Sequence, residues 1–161
     1  MEFIKCILHI AGIGILSFLI GRVVPASWFQ EDRFPYRCYT WEQGGRFYRH
    51  FGIHKWQSKV PDMSKIFPGI MQEKKVTEHF QEELPRMITE TCIAEWIHAL
   101  LCVAVLPCLW IWPGWGGVVF TLIYIFANIP FILIQRYNRP RLIGIRNKMN
   151  KPRKEASLWQ H

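Results

Sequence analysis

Residues 96–134 decide the fold, and they read WIHALLCVAVLPCLWIWPGWGGVVFTLIYIFANIPFILI. Neither of the two apolar stretches within this segment, 96–112 and 118–134, contains a Lys, Arg, Asp or Glu. A soluble helix would carry a polar stripe, whereas these stretches are apolar on every side and approach the length of a membrane span. The residues between them, PGWGG at 113–117, favour a turn. The segment therefore predicts a transmembrane helical hairpin.

A third apolar stretch lies near the N-terminus. The alternative is a soluble protein with buried helices, but 161 residues can scarcely cover three such helices on every side. We therefore expect an all-α membrane protein with about three transmembrane helices, at about 4–21, 96–112 and 118–134, and an interfacial or cytoplasmic amphipathic segment at 22–93. Residues 1–149 are expected to form a single membrane-embedded domain, followed by a basic C-terminal tail at 150–161.

The basic residues predict how the chain is oriented. The chain has 20 Lys and Arg against 12 Asp and Glu, a net charge of +8. Eleven of the 20 lie in residues 22–93, eight lie after residue 134, and none lies in the hairpin turn. Because basic loops stay in the cytoplasm, we expect a multi-pass protein of the cell membrane with the N-terminus outside and the middle segment and C-terminus cytoplasmic. The alternative is a cleaved signal peptide ending near Val24-Pro25-Ala26, which would send both basic segments outside.

The middle segment, residues 22–93, mixes aromatic rings with charged residues. Ten Trp, Tyr and Phe residues lie between Trp28 and Trp56. This mixture suits a surface in the lipid headgroup layer, where rings face the acyl chains and bases meet phosphates. Nucleic-acid binders also interleave rings and bases, but three membrane spans argue against a nucleic-acid partner.

An apolar residue recurs every four positions from Val76 to Ile88, which predicts an amphipathic helix. Pro85 must break this helix or begin a second one. A helix that begins at Pro85 would run into the second span as one rod ending at Trp112.

The start of that rod carries the candidate catalytic residues Glu90, Glu95 and His98. Thr91, Glu95 and His98 share one helix face, with Cys102 one turn further along. A carboxylate at i−3 can orient a neutral imidazole and raise its basicity, as a general base requires. The alternative is an interfacial Glu and His that are satisfied by water.

The sequence gives little reason to expect a metal. Glu95 and His98 form one Glu-x-x-His pair, whereas di-metal bundles use two such pairs and further carboxylates. His50 and His54 have helical spacing, but Gly52 lies between them. The five cysteines are odd in number and none has CxxC spacing, so we expect reduced thiols and no metal site.

The third span ends in a basic cluster. Asn128 and Pro130 lie within the span and should face protein or a cavity, because lipid offers no hydrogen bonds. Beyond it come Arg136, Arg139 and Arg141, whose guanidinium groups are suited to phosphates or carboxylates. The alternative is a stop-transfer cluster that acts through charge alone.

Three strings of residues together resemble the glycosyl-4,4'-diaponeurosporenoate acyltransferase family, which supplies the last step of staphyloxanthin-type carotenoid synthesis. The strings are Gln135-Arg-Tyr-Asn-Arg-Pro-Arg-Leu142, Glu90-Thr-x-x-Ala-Glu-x-x-His98 and Lys55-Trp56-x-x-Lys59-x-Pro61-Asp62. The likeness spans roughly residues 41 to 145, and the string from Gln135 is its most specific part. It implies transfer of a fatty acyl group to a sugar hydroxyl of a lipid-linked glycoside. The substrate-binding residues it suggests are Arg136, Asn138, Arg139, Arg141, Lys55 and Trp56.

The leading hypothesis is a membrane O-acyltransferase in which His98, held by Glu95, deprotonates the acceptor hydroxyl for direct attack on a thioester. Asn138 or an arginine would stabilise the oxyanion. An acyl-enzyme on Cys92 or Cys102 ranks second, because Cys102 lies deeper in lipid, where a thiolate is disfavoured. No Gly-x-Ser-x-Gly nucleophile motif is present.

We expect no tightly bound cofactor, and a co-substrate that is a fatty acyl thioester of coenzyme A or of a carrier protein. The expected partners are membrane lipids, the glycoside acceptor and other enzymes of the pathway. Two rival functions remain. One is a non-enzymatic membrane scaffold or lipid-binding protein, which should tolerate Arg→Lys changes at positions 136, 139 and 141. The other is a different membrane transferase that acts on another hydrophobic acceptor.

Overall fold

The computed structural model describes residues 1–60 and 80–158, which form helices and loops without a strand. The α-helices are α1 (Glu2–Val23), α2 (Ile53–Trp56), α3 (Phe80–Ala104), α4 (Cys108–Ile111) and α5 (Trp115–Leu158), and three 3₁₀ helices span Ala26–Trp28, Thr40–Phe51 and Gln57–Lys59. The predicted all-α class is confirmed.

Three segments are long and apolar enough to cross a membrane: Glu2–Gly21, Phe80–Ile111 and Trp115–Asn150. They overlap the three predicted spans, although the second segment ends at Ile111 and not at Trp112. Their outward faces carry exposed large apolar side chains, among them Leu16, Val103 and Phe126. Such faces suit a lipid environment, because a soluble protein rarely exposes so much apolar surface.

The three long helices pack side by side in alternating directions. At one end, the ring of Phe3 in α1 lies edge-on to Trp112 (6.0 Å between ring centroids) and to Phe120 (5.8 Å). The hairpin between α4 and α5 lies at this same end, and Gly114 turns it with a φ of 91°. At the other end, Gly21 lies against Ile97 of α3. The N-terminus and the hairpin therefore share one end of the bundle, as three alternating spans require.

The second span is broken, in contrast to the rod predicted as far as Trp112. Helix α3 ends at Ala104 and α4 begins at Cys108. The cause is Pro107, which lacks an N–H group and clashes with the preceding turn. The Cys108 amide donates to Val105, and the Ala104 carbonyl instead lies 2.9 Å from Nε2 of His9 in α1. The imidazole thereby satisfies a carbonyl that the break leaves unpaired.

The opposite end of the bundle is covered by the middle segment. The rings of Phe29 and Tyr36 are buried against Cys92 of α3. Tyr48 and Ile53 are buried against Tyr137 of α5. Some aromatic residues of this segment therefore form a core, whereas Trp28, Phe34, Trp41 and Phe51 remain exposed.

A tight turn within Thr40–Phe51 brings the middle segment against α5. Gln43, Gly44 and Gly45 all have positive φ, at 51°, 65° and 88°. A Cβ on Gly45 would lie 2.8 Å from the Tyr137 carbonyl oxygen, so only glycine fits this approach. A Cβ on Gly44 would meet nothing within 4 Å.

Helix α5 is much longer than the predicted third span. It continues without interruption from Trp115 through Pro130 and Pro140 to Leu158. The apolar stretch ends at Ile134, but the following residues stay helical because the middle segment packs against them. Residue 149, the predicted domain boundary, therefore lies inside a helix, and the division into a domain and a tail stays a prediction.

Two further predictions concern the first turns of α3 and the residues before it. Pro85 lies inside α3 rather than at its start, and Leu84 and Ile88 are fully buried, as the amphipathic pattern predicts. Val76, Pro61 and Asp62 lie outside the described residues.

Candidate active site

Glu95 is the centre of a buried ionic cluster between α3 and α5. Its Oε1 atom accepts a hydrogen bond of 2.8 Å from Nη1 of Arg136, and its Oε2 atom accepts one from Nη2 of Arg139. Glu95 is only 7% exposed. Both carboxylate oxygens face the arginines, so the predicted Glu95–His98 contact is wrong. Two full positive charges attract the carboxylate more strongly than a neutral imidazole does.

Arg136 directs all five of its N–H groups at protein acceptors. The bonds run from Nε to Glu42 (2.6 Å) and Tyr48 (3.2 Å), from Nη1 to Pro35 O (3.0 Å) and Glu95 (2.8 Å), and from Nη2 to Arg37 O (3.2 Å) and Glu42 (2.8 Å). Its guanidinium also lies 5.2 Å from the centroid of the Tyr39 ring. Arg136 thus ties the middle segment to α3 and α5. A substrate phosphate would reach it only by displacing one of these bonds.

Arg139 is the more deeply buried of the two arginines, at 2% exposure. Its Nε donates to the Thr91 hydroxyl (2.9 Å), its Nη1 to the Tyr36 carbonyl (2.7 Å), and its Nη2 to the Thr91 carbonyl (3.0 Å) and to Glu95. Its guanidinium lies 5.5 Å from the Tyr36 ring centroid. This residue joins the middle of α3, the loop at Tyr36 and α5.

Glu42 completes the cluster, and the sequence analysis did not single it out. It is 1% exposed and accepts hydrogen bonds from Arg136, from the Tyr48 hydroxyl and from the Tyr39 amide (2.6 Å). Burial alone would raise the pKa of Glu42, but the bonds from Arg136, Tyr48 and Tyr39 outweigh it and hold that pKa below its ordinary value. In the sequence, Glu42 stands out only as an acidic residue among aromatic residues, shortly before Gly44 and Gly45.

The cluster is electrically balanced, because Glu42 and Glu95 face Arg136 and Arg139. A buried set of charges persists only when its members are paired and hydrogen-bonded. Tyr36 lies beside the cluster, and its burial, together with the nearby Cys92 and Glu95, raises its pKa to about 12. The phenol therefore stays protonated at neutral pH.

His98 lies one helical turn beyond Glu95, towards the hairpin end of the bundle. Its Nδ1 is 2.9 Å from Oδ1 of Asn128 in α5. The ring stacks on Phe131, with the two centroids 4.5 Å apart and the planes at 10°. Asn128 is 6% exposed, which confirms that its amide faces protein. The partner of His98 is therefore an amide on another helix.

The other predicted site residues lie around the cluster rather than in it. Glu90 is paired on the surface with Arg86 at 3.1 Å. Asn138 donates to the side chain of Gln57 at 3.1 Å. Arg141 is exposed, with its guanidinium 4.8 Å from the Tyr137 ring centroid.

The two remaining predicted residues lie on the short helix α2. Lys55 is exposed, and the indole N–H of Trp56 donates to the Phe51 carbonyl at 2.9 Å. Asn138 therefore contacts the 3₁₀ helix that directly follows α2, so α2 and this part of α5 lie at the same end of the bundle. The predicted substrate-binding role of all these residues stays a prediction.

A cavity of about 10 Å³ lies beside the ionic cluster, with room for about one water molecule. Cys38, Glu42, Arg136 and Pro140 are among its lining residues. Burial and the nearby Glu42 raise the pKa of the Cys38 thiol. Among the described residues, no three His, Cys, Asp or Glu side chains come together as a metal site requires. The two carboxylates and two guanidinium groups of the cluster balance in charge, and His98 lies one helical turn beyond them.

Comparison with known proteins identifies the chain's relatives. The model of a family described as glycosyl-4,4'-diaponeurosporenoate acyltransferase matches residues 25–148. The chain belongs to this family. The matched residues include the middle segment, α3 and the cluster arginines of α5. The family and its members' names make the protein an acyltransferase, as the sequence strings predicted.

Individual relatives agree with the family match. Glycosyl-4,4'-diaponeurosporenoate acyltransferase of Staphylococcus aureus strain MRSA252 is 31% identical over 126 residues, which cover 76% of this chain and 74% of the relative. The enzymes of that name from strains RF122/ET3-1 and N315 are 30% identical with the same coverage. No solved structure matches the chain.

Proposed function

We propose that this acyltransferase moves a fatty acyl group from a thioester donor to a sugar hydroxyl of a lipid-linked glycoside, at the cytoplasmic face of the cell membrane. The acceptor would be a glycosyl carotenoid of the kind in its relatives' names. The observation that carries the proposal is the family match over residues 25–148, which includes His98 and its surroundings.

The position of His98 supports the proposal. It lies inside a segment apolar enough to cross a membrane, one turn from the layer formed by the ionic cluster. A hydroxyl group on a membrane lipid would reach a base within such an apolar segment, whereas a water-soluble acceptor would not. An ionisable side chain within a span is a functional candidate by default.

The reaction balances with His98 as the general base. The acceptor oxygen bonds to the thioester carbonyl carbon while its proton passes to the imidazole. The tetrahedral intermediate then collapses, the carbon–sulfur bond breaks, and the imidazolium returns the proton to the leaving thiolate. The products are an ester and a free thiol, and no tightly bound cofactor is needed.

Arg136 and Arg139 support this chemistry by holding the site together. Their donors face Glu42, Glu95 and backbone carbonyls, so we assign donor-phosphate binding to the exposed bases at this end of the bundle. Arg141 and Lys55 are such bases. The same end carries the exposed rings of Trp28 and Trp41, which suit a headgroup layer.

Direct transfer is favoured over an acyl-enzyme. Cys92 is fully buried in the core with Phe29 and Tyr36, so a donor cannot reach its sulfur. Cys102 is partly exposed and stays the one thiol near His98 on the same helix face. A Cys102→Ala variant that keeps the wild-type rate supports direct transfer, and a Cys102→Ala variant that neither releases thiol nor forms ester supports the acyl-enzyme.

The function is tested by mass spectrometry of lipid extracts from cells that make the glycosyl carotenoid, with and without the gene. The proposal predicts a new species heavier by one fatty acyl group only when the gene is present. An acylated product with a different hydrophobic acceptor would correct the substrate. No acylated product at all would favour a scaffold that only binds lipid.

A further inference from the structure

The amide of Asn128 has its orientation fixed by a neighbour on its own helix. Its Nδ2 lies 2.8 Å from the carbonyl oxygen of Tyr124, and a carbonyl can only accept a hydrogen bond. The NH₂ group must therefore face Tyr124. Oδ1 is left facing Nδ1 of His98, at 2.9 Å.

This orientation decides which ring nitrogen of His98 carries the proton. Oδ1 is an acceptor only, so Nδ1 must be the donor. A neutral imidazole has one N–H group, and the second nitrogen, Nε2, then holds a lone pair. Stacking on Phe131 fixes the plane of the ring, so the direction of that lone pair is fixed too.

Other groups near His98 leave this arrangement undisturbed. On its own helix, the nearest charged residue is Glu95, whose oxygens are held by Arg136 and Arg139. From α5, the described groups that face the ring are the Asn128 amide and the Phe131 ring. An amide can orient the ring without adding a net charge inside the span, where charge is disfavoured.

We propose that Asn128 is a positioning residue that holds His98 as the Nδ1–H tautomer and so presents Nε2 as the base for acyl transfer. The proposal rests on the function proposed above. In this proposal the Asn128 amide orients the His98 imidazole, a role that the spacing along the helix had suggested for Glu95.

The direct test is nitrogen-15 NMR of the wild-type protein labelled at histidine and held in lipid nanodiscs. The His98 signals are those that disappear in His98→Gln. We expect a protonated Nδ1 and an unprotonated Nε2. A His98 ring protonated at Nε2 in the wild-type protein overturns the proposal without any need for an Asn128 variant.

The second test uses Asn128→Leu, which has a similar volume but no acceptor. We expect the His98 signals to shift towards the other tautomer, and kcat to fall on the order of 10-fold or more with KM nearly unchanged. The matched control is Thr121→Val on the same helix, because the Thr121 hydroxyl is buried without a partner among the described residues. The control should keep the wild-type kcat.

The outcomes separate the two proposals. A changed tautomer in Asn128→Leu with a wild-type kcat overturns the positioning role alone. A wild-type rate in His98→Ala overturns the base assignment of the proposed function, whatever the tautomer is. Unchanged His98 signals in Asn128→Leu show that another group sets the tautomer.

Discussion

Replacing Arg139 with lysine tests whether the ionic cluster depends on geometry or only on charge. Arg139→Lys keeps the positive charge at a position that is 2% exposed. The arginine makes four hydrogen bonds from three nitrogens, to Thr91, Tyr36 and Glu95. A lysine presents its donors from a single nitrogen, which cannot occupy the three positions at once.

The expected loss follows from the hydrogen bonds that the lysine cannot make. We expect it to keep the bonds to Glu95 and to one carbonyl, and to lose about two of the four. Each buried hydrogen bond from a charged donor contributes about 1.5–3 kcal/mol, so the free energy of unfolding should fall by about 3–6 kcal/mol. For a chain of this size, that corresponds to a fall in melting temperature on the order of 5–20 °C.

The assay is thermal unfolding in detergent or nanodiscs, followed by loss of the monodisperse peak in size-exclusion chromatography. The matched control is Arg141→Lys, because Arg141 is exposed and contacts the ring of Tyr137. The control should change the melting temperature by less than about 2 °C. If Arg139→Lys and Arg141→Lys have the same melting temperature, the cluster does not depend on guanidinium geometry and the reasoning is refuted.

Three further predictions follow from the same end of the bundle. The pKa of Glu42 lies below its ordinary value of 4.5. The stability that ionised Glu42 contributes should therefore be fully present above pH 4.5 and should be lost as the pH falls through the lowered pKa. The melting temperature of Glu42→Gln should lack this dependence on acid pH. Gly45→Ala should lower the melting temperature more than Gly44→Ala does, because only at Gly45 does a Cβ meet the α5 backbone; equal losses would contradict the close approach. Cys38 is exposed, so a membrane-impermeant maleimide should label it in inside-out vesicles and not in intact cells; labelling of intact cells would reverse the proposed orientation.

The spans were predictable from sequence because an uncharged apolar stretch of sufficient length has few alternatives to a membrane helix. The end of the third span was not predictable in the same way. Gln135 and Arg136 end the apolar stretch, and Pro140 suggests a helix end. The helix continues because Tyr137 is buried against Tyr48 and Ile53, residues about 90 positions earlier in the chain.

Four residues of the candidate site were identified from the sequence, but Glu42 and the pairing of the side chains were not. Glu95, His98, Arg136 and Arg139 were all identified, yet local spacing paired Glu95 with His98. The structure pairs Glu95 with arginines more than 40 positions away. Periodicity within one helix reports which side chains share a face, and it carries no information about which other helix faces them.

The structure changes what the Arg→Lys substitutions at positions 136, 139 and 141 can distinguish. At positions 136 and 139 the guanidinium groups hold the fold, so loss of function there would not separate an enzyme from a scaffold. Position 141 still separates them, because Arg141 is exposed.

The central claim is that this chain transfers acyl groups with His98 as the base. The most direct measurement is ester formation and thiol release by purified wild-type and His98→Ala proteins in nanodiscs, given an acyl-coenzyme A and a glycosyl carotenoid. We predict equal amounts of ester and thiol from the wild-type protein, and a rate on the order of 100- to 10,000-fold lower in His98→Ala protein that is folded at the assay temperature. A wild-type rate in His98→Ala, or no ester from the wild-type protein, would contradict the account.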